Sequence, residues 1–232
     1  MQSALTNKRI VITGGAGFLG QAIVQAMISE GAAVEATWHA ESEQKHLPPA
    51  TERLRLHRLD VSDESAVAAF YASLPDLWAS VHTVGGFAMA PLAETSVADV
   101  RKMFETNALT CFLCCKEAVR AIRRSGSAGG RIVNVAARPA ITPAGGMVAY
   151  SASKAAVASI TQALAEELKP EGIWVNAVAP SLMDTAANRK AMPNADYSKW
   201  PKVEEVAAAI AFLASPANAL TSGAIVPVYG RV

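Results

Sequence analysis

The chain has 232 residues, 51% of them hydrophobic and 18% charged, with a formal net charge of +1 at pH 7. This composition fills a sizeable core and excludes intrinsic disorder. A balance so near neutrality gives no electrostatic reason to expect nucleic acid or an acidic membrane surface as a partner.

No apolar run is long enough to span a bilayer, because charged residues or glycine interrupt each one. Residues 1–9 lack the apolar stretch of a secretory leader, so a cytoplasmic location is expected. The three cysteines, Cys111, Cys114 and Cys115, are odd in number and crowded, which fits reduced thiols. With no histidine near them in sequence, they read as packing in the core or a subunit contact, and no metal site is expected.

In chain order, residues 9–13 (RIVIT) form a buried strand, followed by a glycine-rich turn and a helix to about residue 30. Strands follow at 33–38 and 54–59, then a polar helix after Asp63, whose preceding Asp60 is a candidate cap, and a fourth strand at 80–84. Residues 97–124 carry one long helical pattern, 125–130 (SGSAGG) a loop, 131–135 a fifth strand and 148–168 a second long helix. A sixth strand at 174–178, a helix at 203–214 and a last strand at 224–228 close the order. Short buried strands alternating with helices specify a single doubly wound, Rossmann-like α/β domain over residues 1–232, its parallel sheet covered on both faces. Residues 183–201 are long for a connection in such a domain and are a candidate substrate lid.

The turn after the first strand reads TGGAGFLG from Thr13 and contains Gly15-x-Gly17-x-x-Gly20. That spacing lets the backbone turn tightly and approach a pyrophosphate at a helix N-terminus. An ordinary glycine turn has the same residues, but the strand–turn–helix context favours a dinucleotide. The second strand ends in Trp38-His39, with Glu35 inside it and Glu41 and Glu43 beyond it. Without an acid at its tip, a 2′-phosphate meets no repulsion, and His39 or Lys45 can approach it. NADP(H) is therefore expected over NAD(H).

Tyr150 and Lys154 stand four apart at the start of the second long helix and share one face of it. A cation beside a phenol lowers a pKa that is about 10 when free. A tyrosine tuned this way gives or takes a proton in step with hydride transfer. Alone, the spacing is more often a solvated helix face.

Its surroundings change that reading. TGGAGFLG at Thr13, LDVSD at Leu59, Gly85-Gly86, TNAL at Thr106, RIVNVAA at Arg131, YSASKAA at Tyr150 and WVNAVAPSLMDT at Trp174 occur together and in order. With them the chain resembles the short-chain dehydrogenase/reductases over essentially its whole length. The resemblance implies that Gly14, Gly15, Gly17, Phe18, Leu19, Gly20, Gly85, Gly86 and Pro180 cradle the cofactor, and that Asp60 and Val61 contact its adenine. It implies a catalytic set of Tyr150 as general acid/base, Lys154 on the nicotinamide ribose and Asn107 holding the water of a proton relay, with Thr185 fixing the carboxamide. Asn107 in mid-helix is unfavourable without a compensating role.

The pattern is broken in places. The spacing Gly14, Gly17, Gly20 is that of the family's extended branch, with Phe18 where the shorter branch has glycine. The turn after the fourth strand reads Thr83-Val84-Gly85-Gly86, without the usual asparagines. Most consequentially, Ala137 stands where the family has a serine that donates to the reacting oxygen. Losing one such donor costs roughly 2.7–4 kcal/mol of transition-state stabilisation, and Ser151 and Ser153 lie on other faces of the helix.

Dihydropteridine reductases, a branch that keeps the tyrosine and lysine without the serine, are similar to this chain in the stretch DTAANRKAMPNADYSKW from Asp184, in TSGAIVPVYG near its end, and in Gly85-Gly86-Phe87. The leading expectation is thus an NAD(P)H-dependent reductase of a small, easily reduced acceptor such as a quinonoid dihydropterin. A ketone or alcohol dehydrogenase that compensates for Ala137, and a dinucleotide-binding sensor or structural subunit with little turnover, are the alternatives. Resemblance also implies a homodimer or homotetramer built on the two long helices.

Overall fold

The computed structural model describes residues 4–126 and 129–232. Its strands are β1 (Arg9–Thr13), β2 (Ala33–Trp38), β3 (Leu54–Arg58), β4 (Ala79–His82), β5 (Gly130–Val135), β6 (Ile173–Pro180) and β7 (Ile225–Val228). Its helices are α1 (Phe18–Ser29), α2 (Glu64–Ala72), α3 (Val97–Met103), α4 (Thr110–Arg124), α5 (Arg138–Ile141), α6 (Val148–Leu168), α7 (Ala186–Ala191) and α8 (Val203–Ala214).

All seven strands pair in parallel in the order β3-β2-β1-β4-β5-β6-β7. The chain winds outward from β1 in one direction and from β4 in the other. The β1/β4 boundary is therefore the topological switch point, where the carboxyl ends of the strands leave a crevice. Neighbouring residues of one strand serve opposite cores. Ile10, Ile12, Val81 and Val133 pack with α1 and α8, whereas Val11, Ile132 and Val175 pack with α2, α4 and α6. A strand buried on both faces has no polar alternation to show, which is why the runs read as continuously apolar.

The structure departs from expectation in ways that shape the site. The helical pattern over 97–124 is continuous but contains one π-helical turn, Phe104–Leu109, between α3 and α4. β4 stops at His82, so Thr83 to Gly86 form a loop over the crevice instead of ending the strand. Asp60 does not cap α2. Asp63 does, accepting from the backbone N–H groups of Ser65 and Ala66, while Asp60 accepts from Ser62. The reason is distance: only Asp63 adjoins the first free N–H groups of the helix.

Residues 183–201 are more ordered than an irregular loop. They contain α7, capped by Thr185 and braced by a two-point Asp184–Arg189 ion pair, and end on a buried Trp200. Of the expected loop at 125–130, Ser127 and Ala128 lie outside the described residues. Among the described residues no helix is long and apolar enough to cross a membrane.

Candidate active site

The glycine turn is a cradle with no spare space. Gly14 sits at φ +73°, a backbone conformation that glycine adopts without strain, and a Cβ on Gly20 would collide with the carbonyl oxygen of Gly14. The Gly15 N–H donates to Thr37 O (2.7 Å), tying the turn to β2. α1 opens at Gly17 with no side-chain cap, which leaves its first N–H groups without a side-chain acceptor there. Beside them the Thr13 hydroxyl is buried without a partner among the described residues. Free helical N–H groups, a side-chain-free approach and a waiting hydroxyl fit a dinucleotide pyrophosphate.

Farther along the carboxyl edge lies a cavity of about 400 Å³, bordered by Gly14, Trp38, His39, Glu43, Asp60 and Val61. Its shape and place suit an adenosine. Hydrogen bonds from the hydroxyl and N–H of Ser62 hold the Asp60 carboxyl below the usual range. His39 is exposed at the rim, with Nε2 3.9 Å from Asp60.

The expectation of no acid at the end of β2 needs correction here. A 3₁₀ turn at Glu41–His46 folds Glu43 back, and its carboxylate accepts from the N–H groups of His39 (2.9 Å) and Ala40 (3.2 Å). The signal was present in the sequence as a Glu three residues after Ala40, the residue that caps the turn, which is a capping spacing.

At the switch point the expected catalytic residues come together. Tyr150 occupies the first turn of α6, its ring edge-on to Phe87 with centroids 5.0 Å apart. Lys154, one turn later, is buried, and its ammonium donates to Val135 O (2.8 Å). The expected lowering of the tyrosine pKa is reversed in this geometry. Burial pushes the Tyr150 phenol up to about 12 and the Lys154 amine down to about 8. Desolvation penalises the charged form of both groups, and the ammonium is directed at a carbonyl.

Asn107 lies in the π turn, fully buried, with its side chain completely engaged. Its Oδ1 accepts from Gly86 N–H (2.8 Å), and its Nδ2 donates to Gly86 O (3.1 Å) and to Ser153 Oγ (2.9 Å). Ser153 in turn donates to Tyr150 O (2.8 Å). A Cβ on Gly85 would fall 2.7 Å from Asn107 Oδ1 and 3.0 Å from Lys154 Nζ. The residue at 85 must therefore be glycine for the pair to close over it. Thr83, in the turn that lacks the family's asparagines, donates to Thr13 O (2.6 Å) and so fastens this loop to β1.

Ala137 is buried in extended backbone at the end of β5 and brings no donor to the reacting centre. Ser153 is committed elsewhere, and the Ser151 hydroxyl is buried without a partner among the described residues. At the end of β6, Pro180 is paired with Val228, and the Thr185 hydroxyl is occupied in capping α7.

One constellation escaped the sequence reading. His82, at the end of β4, lies under α4 with Nδ1 2.8 Å from Asn134 Oδ1 and 3.5 Å from Cys115 Sγ, and Nε2 2.8 Å from Ser80 Oγ. His82, Cys111 and Cys115 bring ligand-type atoms within 4.8 Å of one another. Both imidazole nitrogens are already hydrogen-bonded, and all three cysteines are buried, so the group is a polar network inside the core.

A parallel sheet with a glycine cradle after β1 and a Tyr–Lys pair at its carboxyl edge defines a nicotinamide-dinucleotide-dependent oxidoreductase. The family model described as short chain dehydrogenase matches residues 8–196, and the chain belongs to the short-chain dehydrogenase/reductase family. It is 35% identical to the cis-4-hydroxycyclohexanecarboxylate dehydrogenase of Sinomonas cyclohexanicum, over 99% of this chain and 98% of that one. It is 32% identical to the galactitol 2-dehydrogenase of Rhizobium johnstonii, over 97% and 94%. The solved short-chain dehydrogenase/reductase of Serratia marcescens superposes with a TM-score of 0.87 at 30% identity, covering 98% of each chain. The narrower resemblance to dihydropteridine reductases is not shown by these likenesses and rests on the motifs that suggested it.

Proposed function

We propose that the chain interconverts a small ketone and its secondary alcohol with NADP(H), Tyr150 exchanging the proton at the substrate oxygen. The observation that carries this reading is that Lys154 and Asn107 close on the Gly85-Gly86 loop at the β1/β4 switch point, with the Tyr150 ring packed on the adjoining Phe87. When bound, the cofactor supplies or accepts the hydride. Tyr150, kept protonated by burial, donates its phenolic proton in the direction of reduction. Lys154 stands below it as the cation of the site and the group for the nicotinamide ribose. Asn107 locks the loop that borders both, and is the residue we assign to the proton relay.

Gly14 to Gly20 hold the pyrophosphate, Asp60 and Val61 the adenine, and Pro180 and Thr185 the carboxamide end. NADP(H) is favoured over NAD(H) because Glu43 is occupied in capping, whereas His39 is exposed at the rim. The alcohol reading draws on the relatives, which include dehydrogenases of a hydroxycyclohexanecarboxylate and of galactitol.

Ala137 favours a second reading, in which the acceptor is electron-poor enough to need no donor there, as a quinonoid dihydropterin is. Initial rates with NADPH on cyclohexanone, 4-oxocyclohexanecarboxylate, benzoquinone and a quinonoid dihydropterin decide between them. Tyr150→Phe is expected to lose at least 100-fold on the best substrate, within the ~10²–10⁴ range of general acid catalysis. Equal rates for variant and wild type would refute the proton-transfer role.

An exposed apolar stripe along α3, the π turn and α4, formed by Val97, Val100, Phe104 and Phe112, supports a homo-oligomer joined through the long helices. Three unpaired buried thiols support a reducing, cytoplasmic setting.

A further inference from the structure

We infer that Arg138 is a substrate-anchoring residue, and that the substrate carries a carboxylate. The inference rests on the ketone–alcohol reading above and specifies its substrate class.

Arg138 follows Ala137 directly and opens α5 at the carboxyl end of β5. α5 packs against α6, the helix that carries Tyr150, so Arg138 stands on the same edge of the sheet as the proton donor. Its guanidinium lies over the ring of Tyr229, 5.2 Å from the centroid. Tyr229 follows β7, and its carbonyl accepts from the Ser181 hydroxyl (2.8 Å), which follows β6. The residues after β5 and β7 thus meet at this cation, and Ser181 after β6 fastens the Tyr229 backbone that carries the ring.

The cation is half-buried and lacks an oxygen partner. Among the described residues the other arginines that are not exposed do have one. Arg9 pairs with Glu35 and Asp76, and Arg131 donates to the carbonyls of Gly130 and Asn218. Arg138 has an aromatic face and, among the described residues, no carboxylate or carbonyl on its five N–H donors.

An arginine fixed by stacking, with its fork unsatisfied, is pre-organised for a planar anion, and a carboxylate matches that fork in two parallel hydrogen bonds. Ala137 keeps extended backbone after β5, whereas Arg138 opens α5 with its guanidinium held on the Tyr229 ring, so the two side chains occupy different places. Arg138 therefore does not replace the missing serine hydroxyl at the reacting oxygen. It grips the substrate at a second point, which fixes the carbonyl's orientation toward Tyr150 without a donor from Ala137.

The test compares 4-oxocyclohexanecarboxylate with its methyl ester, by kcat/KM with NADPH, in wild type, Arg138→Leu and Arg138→Lys. Wild type is expected to prefer the acid by roughly 100-fold, the range for a hydrogen-bonded, partly desolvated charge pair. Arg138→Leu should bring that ratio to within about threefold of unity, with Arg138→Lys between them, since lysine keeps the charge but not the fork. NADPH binding by fluorescence serves as the fold check for each variant.

A direct measurement separates this inference from the function it rests on. Cyclohexanecarboxylate should bind the NADP⁺-loaded protein in calorimetry, and that binding should vanish in Arg138→Leu, whether or not any ketone is turned over. Failure of wild type on every ketone, with this binding intact, would overturn the proposed reaction and leave the anion site standing. No preference for the acid in wild type, or cyclohexanecarboxylate binding unchanged in a folded Arg138→Leu protein, would overturn the anion site itself.

Discussion

Asn107 and Gly86 are bonded to each other twice, the Gly86 N–H donating to Oδ1 at 2.8 Å and Nδ2 donating back to the Gly86 carbonyl at 3.1 Å. A side-chain amide here mimics the partner strand that the backbone lost when β4 ended at His82. The third bond, to Ser153, ties that loop to the helix that carries Tyr150 and Lys154. Asn107→Ala removes all three bonds from a buried position. A loss of about 2–4 kcal/mol in folding stability is expected, from unpaired buried groups at about 1–3 kcal/mol each with partial relaxation. Chemical denaturation measures it. A second readout is turnover, which should fall at least tenfold at a temperature where the variant remains folded, because the Gly85-Gly86 loop no longer borders Lys154 in one position. A variant as stable and active as wild type would mean that the loop holds its place without the amide.

Gly85→Ala tests the same closure from the other side. The added methyl would sit 2.7 Å from Asn107 Oδ1 and 3.0 Å from Lys154 Nζ, closer than carbon contacts allow. The long lysine chain yields more easily than the buried amide, so Lys154 is the group expected to move. The expected result is a loss of activity of about tenfold or more, together with a shift of the pH limb assigned to Lys154 below. Activity and pH profile both unchanged would show that the site has room the geometry denies it.

Burial raises Tyr150 to about 12 and lowers Lys154 to about 8, and the two shifts have opposite consequences with pH. Between about 8 and the ordinary lysine pKa, the unfolded chain binds a proton that the native amine has released, so Lys154 makes stability rise with pH in that window. Between the ordinary tyrosine pKa and about 12, the native phenol keeps a proton that the unfolded chain has lost, so Tyr150 makes stability fall as pH rises there. For catalysis, the acid form of Tyr150 persists through the whole working range. The limb in kcat/KM for reduction should therefore lie near pH 8 and belong to Lys154. Lys154→Arg, which stays charged, should move that limb upward by more than one pH unit if it is active. A limb that stays near pH 8 in this variant would belong to another group.

How legible each feature is in the sequence follows from how local it is. The glycine turn and the Tyr150–Lys154 pair are set by spacings of a few residues, and the alternation of buried strands and helices is a property of each segment by itself. All of these were legible. The π turn around Asn107 was not, because a single extra residue in a helical turn leaves the apolar pattern over 97–124 almost unchanged. His82 and Cys115 meet only because β4 lies beneath α4, and Arg138 and Tyr229 only because β5 and β7 flank β6. The sign of the Tyr150 shift is hidden from the sequence for a related reason. Helical spacing places a lysine near a phenol but says nothing of how much water the fold removes from both.

Ala137→Ser restores a donor where the family's pattern has one. The residue is buried at the edge of the crevice, and a serine adds only one hydroxyl to the volume of alanine. On a simple ketone such as cyclohexanone, kcat should rise by about 10- to 100-fold, below the ~10²–10³ that removing an optimised oxyanion donor costs, because the surrounding shell was not shaped for it. On a quinonoid dihydropterin the same substitution should change little. Stopped turnover of both substrates by a folded Ala137→Ser protein would show instead that the space beside Ala137 is already filled by substrate.

Cofactor choice turns on His39 and Glu43, which share one rim of the adenosine cavity. Glu43 adds negative charge near the place where a 2′-phosphate would lie, although its oxygen is held by the N–H groups of His39 and Ala40. Glu43→Gln keeps an acceptor for those N–H groups and removes the charge. NADPH should then bind roughly five- to tenfold more tightly with NADH little changed, in line with about 1 kcal/mol for charges about 4 Å apart in the dielectric of water. His39→Asp should do the opposite, repelling the phosphate and offering an acceptor to ribose hydroxyls, so that the protein comes to favour NADH. Fluorescence titration of wild type and both variants with both cofactors gives the six dissociation constants needed. If His39→Asp still bound NADPH as tightly as wild type, the 2′-phosphate would not lie at this rim, and the preference for NADP(H) would lose its structural support.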